Sequence, residues 1–425
     1  MEQITLNKIF KVGKTLTYDF AVTEGLSAFF SGKRFLIEYP VEIGAVPDGV
    51  AAVPFICNVL PIVWLTNSRL VVKELDQAFY ACILNVKKGY ETMFPESNFA
   101  GEICVRRIVA CDIPAQGKSA VFFSGGLDAV QTLVSHLEEK PALISIWGSD
   151  IRFDNEDGWR IVHRSIEEYA DKYALPDVVI RSSFRDFDCE GELTSKFGQQ
   201  LKDGWWHGVK HGIGLLGHAA PYVYLNGIST VYIASSNCPL DGHVRCASNP
   251  LTDNQVRFAD TRVIHDGFEF SRQDKIRNVV DYVKRTGDQV SLHVCWESQS
   301  GNNCCHCEKC YRTMAGLIAE GADPIKYGFD HAKKTISLMR HYFAVCGGLP
   351  ASIAKNHWTH IQKVMWENHA QVRKLPYWKE VQWIIKADFL HVEKLTMPLS
   401  YRIRERLAQL KIYQLAHRIK VKLHG

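Results

Sequence analysis

The sequence has no low-complexity segment, no internal repeat and no strong excess of either charge. Its formal net charge is only +4, which is too small to indicate nucleic-acid binding by itself. The most apolar stretch, residues 50–65, contains Pro54, Asn58 and Pro61 and falls short of a membrane span. The N-terminus lacks the basic and then apolar pattern of an export signal. We therefore expect a cytoplasmic protein that does not cross a membrane.

The bulk composition is typical of a globular enzyme. Apolar residues make up 46% and charged residues 23% of the 425 residues, which is enough chain for two or three domains. The chain has 13 cysteines, and without an export signal they indicate a reducing compartment rather than a disulfide framework.

One segment combines an apolar strand, a glycine turn and a helix. Residues 120–123 are apolar, and we predict a helix from Leu127 to about residue 138. The glycines allow a tight turn and close approach of a ligand, and the start of the helix favours an anion. The sequence therefore predicts a pyrophosphate-binding turn, although an ordinary strand-to-helix turn is the alternative. The residues of this turn are Ser124, Gly125, Gly126, Leu127 and Asp128.

Four cysteines form a second motif with the spacing C-x8-C-x2-C-x2-C. Thiolates at such short intervals bind one tetrahedral Zn²⁺ ion, and four of them leave no open position for catalysis. We therefore predict a structural zinc site, with disulfides or free thiols as the alternatives. The predicted ligands are Cys295, Cys304, Cys307 and Cys310.

The two motifs together resemble the PP-loop ATP pyrophosphatases, and within them the 7-cyano-7-deazaguanine synthases. The signature Ser-Gly-Gly-x-Asp-Ser is matched at residues 124–128, whereas Ala129 stands where the family usually has serine. Lys275 lies near the start of a predicted helix, where that family carries a lysine. The resemblance covers about half of the chain, residues 119–319. It implies a doubly wound parallel α/β sheet, ATP and Mg²⁺ as ligands, and cleavage of ATP to AMP and pyrophosphate.

The resemblance and the strand ends together predict the rest of the site. In the family, the backbone after the second strand contacts adenine, which here means Ile146 and Trp147. Ser235 follows the fourth predicted strand, and ligands of such sheets bind beyond the carboxyl ends of the strands. We expect Asp128 to hold Mg²⁺ or a donor beside the phosphates, and Lys275 and Arg245 to stabilise the charge of the departing pyrophosphate.

Three regions are predicted along the chain. Residues 1–112 read as a β-rich, mostly antiparallel N-terminal domain with strands at 14–22, 34–38, 78–86 and 101–108. Residues 113–323 alternate strands and helices and form the PP-loop domain with its zinc knuckle. Residues 324–425 read as helices. The last of these, residues 400–421, is basic and amphipathic. RNA, an anionic membrane surface and an acidic protein are the partners we consider for it, with a solvated helix as the alternative.

The sequence therefore predicts an ATP-dependent, AMP-forming ligase of carbon–nitrogen bonds. A small-molecule or protein-borne acceptor would be adenylated on oxygen and then attacked by ammonia or an amine. A tRNA sulfurtransferase, a sugar amidotransferase and a non-catalytic ATP-binding protein are the alternatives. The sulfurtransferase would need a reactive pair of cysteines outside the zinc site, for which Cys189, Cys238 and Cys246 are the candidates. A second copy of the chain is a further predicted partner.

Overall fold

The computed structural model describes residues 1–112, 117–295, 302–345 and 353–389. Two compact units are present: Met1–Thr286 with Ser291–Asn302, and Gly287–Val290 with the chain from Asn303 onward. The described residues of the first unit form eleven strands. They are β1 (Gln3–Val12), β2 (Thr15–Val22), β3 (Leu36–Glu38), β4 (Arg69–Asp76), β5 (Glu102–Val109), β6 (Lys118–Phe122), β7 (Ala142–Trp147), β8 (Asp177–Ser182), β9 (Ile228–Ala234), β10 (Arg257–Phe258) and β11 (Thr261–Asp266).

Helices of the first unit connect these strands. They are α1 (Asp48–Ala51), α2 (Val53–Leu65), α3 (Gln77–Met93), α4 (Leu127–Ser135), α5 (Glu156–Tyr173), α6 (Glu190–Leu201), α7 (His211–Asn226), α8 (Pro250–Asp253) and α9 (Arg272–Thr286). A π-helical turn, Trp206–Lys210, leads directly into α7. The helices of the second unit are α10 (Glu308–Ala319), α11 (Ala332–Val345), α12 (Thr359–Glu367), α13 (His369–Val372) and α14 (Trp378–Val381).

All eleven strands belong to one mostly parallel sheet, in the order β10-β11-β9-β6-β7-β8-β3-β2-β1-β4-β5. The five strands β8-β7-β6-β9-β11 are parallel to one another. The chain runs outward from β6 through β7 to β8 and then returns to the other side of β6 to form β9. This reversal makes the ends of β6 and β9 a topological switch point, where ligands of open α/β sheets bind. The predicted α/β class with a large parallel sheet is thus confirmed.

The N-terminal strands continue this sheet, because β3 pairs antiparallel with β8 through Ile37 and Ser182. Residues 1–112 therefore share the first unit with the parallel strands, and the division into units differs from the boundaries predicted at 112 and 323. Their sheet is also mixed rather than mostly antiparallel, since β4 runs parallel to both β1 and β5.

The predicted strand at residues 78–86 is wrong, because this segment lies within α3. Its apolar residues recur at helical spacing, and Phe79, Ile83 and Val86 are buried. The Asp76 side chain accepts a hydrogen bond from the Phe79 amide and caps the helix. The predicted C-terminal helix at 400–421 lies outside the described residues. Among the described helices, none combines the length and the apolarity that a membrane crossing requires.

Candidate functional site

The turn after β6 is the local feature around which the candidate site is built. Gly125 has a φ of +70°, a left-handed conformation in which a side chain would be strained. Its carbonyl accepts a hydrogen bond from the His293 amide at 2.7 Å. Gly126 is the N-cap of α4, and its amide donates to the Ser124 hydroxyl at 3.4 Å. The turn therefore presents the positive end of α4 at the switch point of the sheet.

Two cationic side chains of α9 converge on Asp128 in the first turn of α4. The Lys275 ammonium lies 3.3 Å from one carboxylate oxygen, and the Arg272 guanidinium lies 3.5 Å from the other. Lys275 is buried and also donates a hydrogen bond to the Ser235 carbonyl. Two cationic side chains and the positive end of α4 therefore lie together at this strand end, a combination that favours anions.

A second layer of polar groups supports α4 from the end of β11. The Asp266 carboxylate accepts from the Thr132 hydroxyl at 2.7 Å and contacts the His136 imidazole at 3.0 Å. This hydrogen bond is the main cause that raises the pKa of His136. Burial tends to raise the pKa of Asp266, but the hydrogen bonds from His136 and Thr132 outweigh it and lower that pKa. These hydrogen bonds and the attraction between Asp266 and His136 fix α4 relative to β11.

Several of these residues were missed in the sequence. Arg272 precedes Lys275 by three positions and so shares its face of α9, a signal that the helical spacing carried. Asp266 and His136 lie 130 positions apart, and nothing in the local sequence connects them. Ala129 is buried; it stands where the PP-loop ATP pyrophosphatases usually have serine.

The predicted adenine-contacting residues end the strand next to β6. Ile146 and Trp147 are the last two residues of β7 and are half-buried. The Trp147 ring is stacked on Trp159 at 5.5 Å between centroids, and the Arg181 guanidinium lies 4.2 Å from its centroid. Its indole N–H donates to the Arg152 carbonyl at 3.0 Å. The Trp147 side chain is therefore already engaged in contacts within the protein.

A small cavity lies beyond the ends of β7 and β8. Its volume is about 210 Å³, and it is mostly polar. The Arg185 guanidinium donates to the Ser149 carbonyl at 3.1 Å and pairs with Glu190 at 2.6 Å, which shapes one wall. One residue that lines the cavity, Gly148, directly follows Trp147 in the chain. Its lining residues include Gly148, Ser149, Asp150, Arg152, Ser182 and Arg185.

The other predicted residues take different places. The Ser235 hydroxyl donates to the Asn237 carbonyl at 2.7 Å, so its carbonyl rather than its hydroxyl meets Lys275. Arg245 pairs with Glu96 at 2.7 Å, and its guanidinium lies 5.9 Å from the Phe94 ring centroid. Leu127 has its side chain in the core, so only its backbone is available to a ligand.

The four predicted metal-binding cysteines come together. The Sγ atoms of Cys295, Cys304, Cys307 and Cys310 all lie within 4.8 Å of one another. The amides of His306 and Cys307 donate to the Cys304 sulfur at 3.5 and 3.3 Å. Such N–H···S bonds stabilise a thiolate, and four thiolates are a donor set that fits Zn²⁺. The cluster can therefore bind a metal ion such as zinc.

The neighbouring Cys305 and His306 point to other partners. Cys305 has a φ of +59°, and its thiol contacts the Asn303 carbonyl at 3.6 Å. The His306 imidazole contacts the Cys304 carbonyl at 2.6 Å.

Comparison with known proteins adds no assignment: no protein-family model matches the chain, and no curated protein or solved structure matches it.

Proposed function

We propose that this protein binds ATP at the turn after β6 and cleaves it to AMP and pyrophosphate while adenylating a substrate oxygen. The observation that supports this proposal is the convergence of Lys275 and Arg272 on Asp128 at the N-terminus of α4. A buried lysine and a nearly buried arginine are costly unless they meet negative charge. Together with the positive end of α4, these two cations favour a polyanion such as a triphosphate.

The turn and the cations would act on the leaving group. The amides of the turn and of the first turn of α4 would bind the β- and γ-phosphates. A substrate carboxylate or amide oxygen then attacks the α-phosphorus, and the bond to the β-phosphate oxygen breaks. Lys275 and Arg272 would stabilise the charge that develops on pyrophosphate. A nitrogen nucleophile finally displaces AMP from the adenylate, which forms a carbon–nitrogen bond.

Mg²⁺ fits the donor set beside this turn, because its preferred ligands are carboxylate and phosphate oxygens. Asp128 is the residue that would hold it, and the bound ion would neutralise phosphate charge. Asp128 would release part of its pairing with Lys275 in return, which frees that ammonium for the phosphates. Zn²⁺ at the cysteine cluster would have a structural role, since four thiolates leave no position for a substrate.

The test is pyrophosphate release from ATP by wild type and the Lys275→Met variant. The acceptor panel is a deazaguanine carboxylate with ammonium, nucleotide sugars, and tRNA. Removing a charge-stabilising donor should lower the rate by about 10²–10³-fold. Lys284→Met is the matched control, because Lys284 is an exposed lysine on the same helix and should leave the rate unchanged.

Two outcomes would contradict the proposal. Equal rates in wild type and Lys275→Met would exclude Lys275 from the reaction. A wild-type protein that binds ATP by calorimetry but releases no pyrophosphate with any acceptor would instead favour the non-catalytic ATP-binding alternative.

A further inference from the structure

A second cluster of titratable side chains lies where the π-helical turn meets the loop between β9 and α8. The Cys246 sulfur lies 3.9 Å from Nε2 of His211. The imidazole of His207 is stacked on that of His211, with 5.8 Å between ring centroids and an angle of 14°. Nδ1 of His207 forms a short hydrogen bond with the Asp203 carboxylate. A carboxylate, two imidazoles and a thiol thus follow one another in space, each in contact with the next.

The backbone holds this cluster together. The amide of Ala247 donates to the His207 carbonyl at 2.8 Å, which ties the loop to the π-helical turn. A Cβ atom on Gly212 would lie 2.1 Å from the Ala247 carbonyl oxygen, so only glycine permits the approach that brings Cys246 beside the histidines. π-helical turns inside helices frequently mark functional sites.

The imidazoles favour the ionised form of the thiol. Burial raises the pKa of Cys246, but the hydrogen bonds of His207 and His211 outweigh burial and lower that pKa to about 6. The hydrogen bond with Asp203 and then that with Cys246 raise the pKa of His207 to about 10. At neutral pH the pair is a thiolate and an imidazolium, the ionisation state of reactive cysteines. The other ionisable groups facing the cluster are Asp253 of α8 and Tyr90 of α3.

The other two cysteines that we considered as reactive differ from Cys246. Cys238 lies on the same loop and is equally buried, at 5% exposure against 3% for Cys246. Burial and then the charge of Asp241 raise its pKa. Cys189 is more exposed, but burial followed by the charge of Asp188 raises its pKa. No imidazole is among the main influences on the pKa of either thiol.

We propose that Cys246, which lies beside the stacked imidazoles of His207 and His211, is a reactive thiolate and a modification site for small hydroperoxides. The sulfur attacks the terminal oxygen of a hydroperoxide, an S–O bond forms and the O–O bond breaks. Sulfur is oxidised by two electrons to the sulfenic acid, and the peroxide is reduced. The departing alkoxide or hydroxide takes a proton from the His207 imidazolium, so that charge and protons balance.

Exposure selects the reactant. Cys246 is almost completely buried, whereas the side chain of His207 is 58% exposed and marks the side that opens to solvent. We therefore expect a compact, uncharged oxidant to reach the sulfur more readily than a bulky thiol reagent such as a maleimide. The site therefore differs from an exposed thiol that reacts with any electrophile.

The test measures sulfenic acid formation in the full-length protein. Hydrogen peroxide is added at pH 7, sulfenic acid is trapped with a 1,3-dione, and the labelled peptides are quantified by mass spectrometry. Cys246 should be labelled at least about ten-fold faster than Cys238, because most of its thiol is ionised at pH 7. The rate at Cys246 should reach half its maximum near pH 6, and His207→Asn should move that midpoint upward.

Two further measurements test the proposal even if labelling is slow. The ultraviolet difference spectrum between wild type and Cys246→Ser should show one thiolate at pH 7. Metal analysis should give one zinc per chain, all of it from the four-cysteine cluster. Labelling of Cys238 or Cys189 ahead of Cys246, a neutral thiol at pH 7, or a second metal ion lost on Cys246→Ser would each overturn the proposal.

Discussion

The two halves of the sheet use their buried polar groups differently. In the parallel half, charges from distant segments meet beyond the strand ends, as Asp128 does with Lys275. In the N-terminal half, the buried carboxylate Asp76 accepts hydrogen bonds from the backbone amides of Phe79 and Ala259. The charged pair Arg69 and Glu102 of that half lies at the surface. Parallel strands end at one edge, so their ends collect ionisable groups, whereas the mixed half uses polar groups to hold the fold.

This contrast predicts separate consequences for mutations. Changes at strand ends of the parallel half should affect pyrophosphate release more than stability. Changes in the N-terminal half should lower the free energy of unfolding and leave the rate per folded molecule unaltered.

The largest effect on stability is expected from Asp76→Ala. One oxygen of Asp76 accepts from the amides of Phe79, at 2.9 Å, and Ala259, at 2.7 Å. Alanine would leave both buried amides without this acceptor and remove the cap of α3. We expect a loss of about 3 kcal/mol in the free energy of unfolding, measured by urea denaturation.

Asp76→Asn is the matched control, because it keeps a carbonyl oxygen as acceptor without burying a charge. Burial already raises the pKa of Asp76 and is only partly offset by the amide hydrogen bonds. The asparagine variant should therefore stay within about 1 kcal/mol of wild type. A loss of pyrophosphate release by folded Asp76→Ala protein would break the contrast between the two halves.

A histidine at the seam between the halves should give stability its pH dependence. His218 of α7 is buried, and burial is the main cause that lowers its pKa to about 4. Its Nδ1 contacts the Gly214 carbonyl at 2.6 Å and its Nε2 the Ser182 hydroxyl at 2.8 Å. The neutral tautomer satisfies both, with the proton on Nδ1 donated to the carbonyl and Nε2 accepting from the hydroxyl.

The sign follows from proton uptake. Between pH 6.5 and 4 the unfolded chain binds a proton at His218 that the folded chain does not, so stability falls as the pH falls through this window. The contribution should be about 2 kcal/mol at pH 5 relative to pH 7. Thermal unfolding of His218→Gln across this range should show a shallower slope. A slope equal to that of wild type would mean that His218 is not kept neutral by the fold.

Short-range features of this fold could be predicted from the sequence. The strand β7 is one of them, because its residues form a mostly apolar run, as is usual for a buried parallel strand. The turn at 124–128 and the four cysteines depend on residues close together in the chain. Spacing alone therefore sufficed to predict that the cysteines come together.

Long-range features could not be predicted in this way. Pairing of β3 with β8 joins Ile37 and Ser182, which lie 145 positions apart, and nothing in the local sequence around either residue indicates it. Arg245 was expected at the phosphates, but it pairs with Glu96, since any acidic residue nearby can satisfy a guanidinium. The contact of Cys246 with His211 forms only when the loop is folded, so the sequence could not distinguish Cys246 from the other candidate cysteines.

The smallest change in stability is expected from a pair of glycine substitutions, one in each half. Gly125 has a φ of +70° and Gly13, between β1 and β2, has a φ of +58°. A Cβ atom at either position would meet its nearest neighbour at 3.5 Å or more. Backbone strain is then the main cost, and each change to alanine should lower the free energy of unfolding by about 1 kcal/mol.

The pair should differ in activity because only Gly125 belongs to the turn that would bind the phosphates. We expect the strain at Gly125 to be relieved by a backbone rotation that moves its carbonyl away from the His293 amide and re-orients the amides at the start of α4. We expect Gly125→Ala to slow pyrophosphate release at least about ten-fold and Gly13→Ala to leave it unchanged, measured on folded protein at matched temperature. Equal rates in the two variants would show that the geometry of this turn does not matter to the reaction. The contrast between the halves would then concern stability alone.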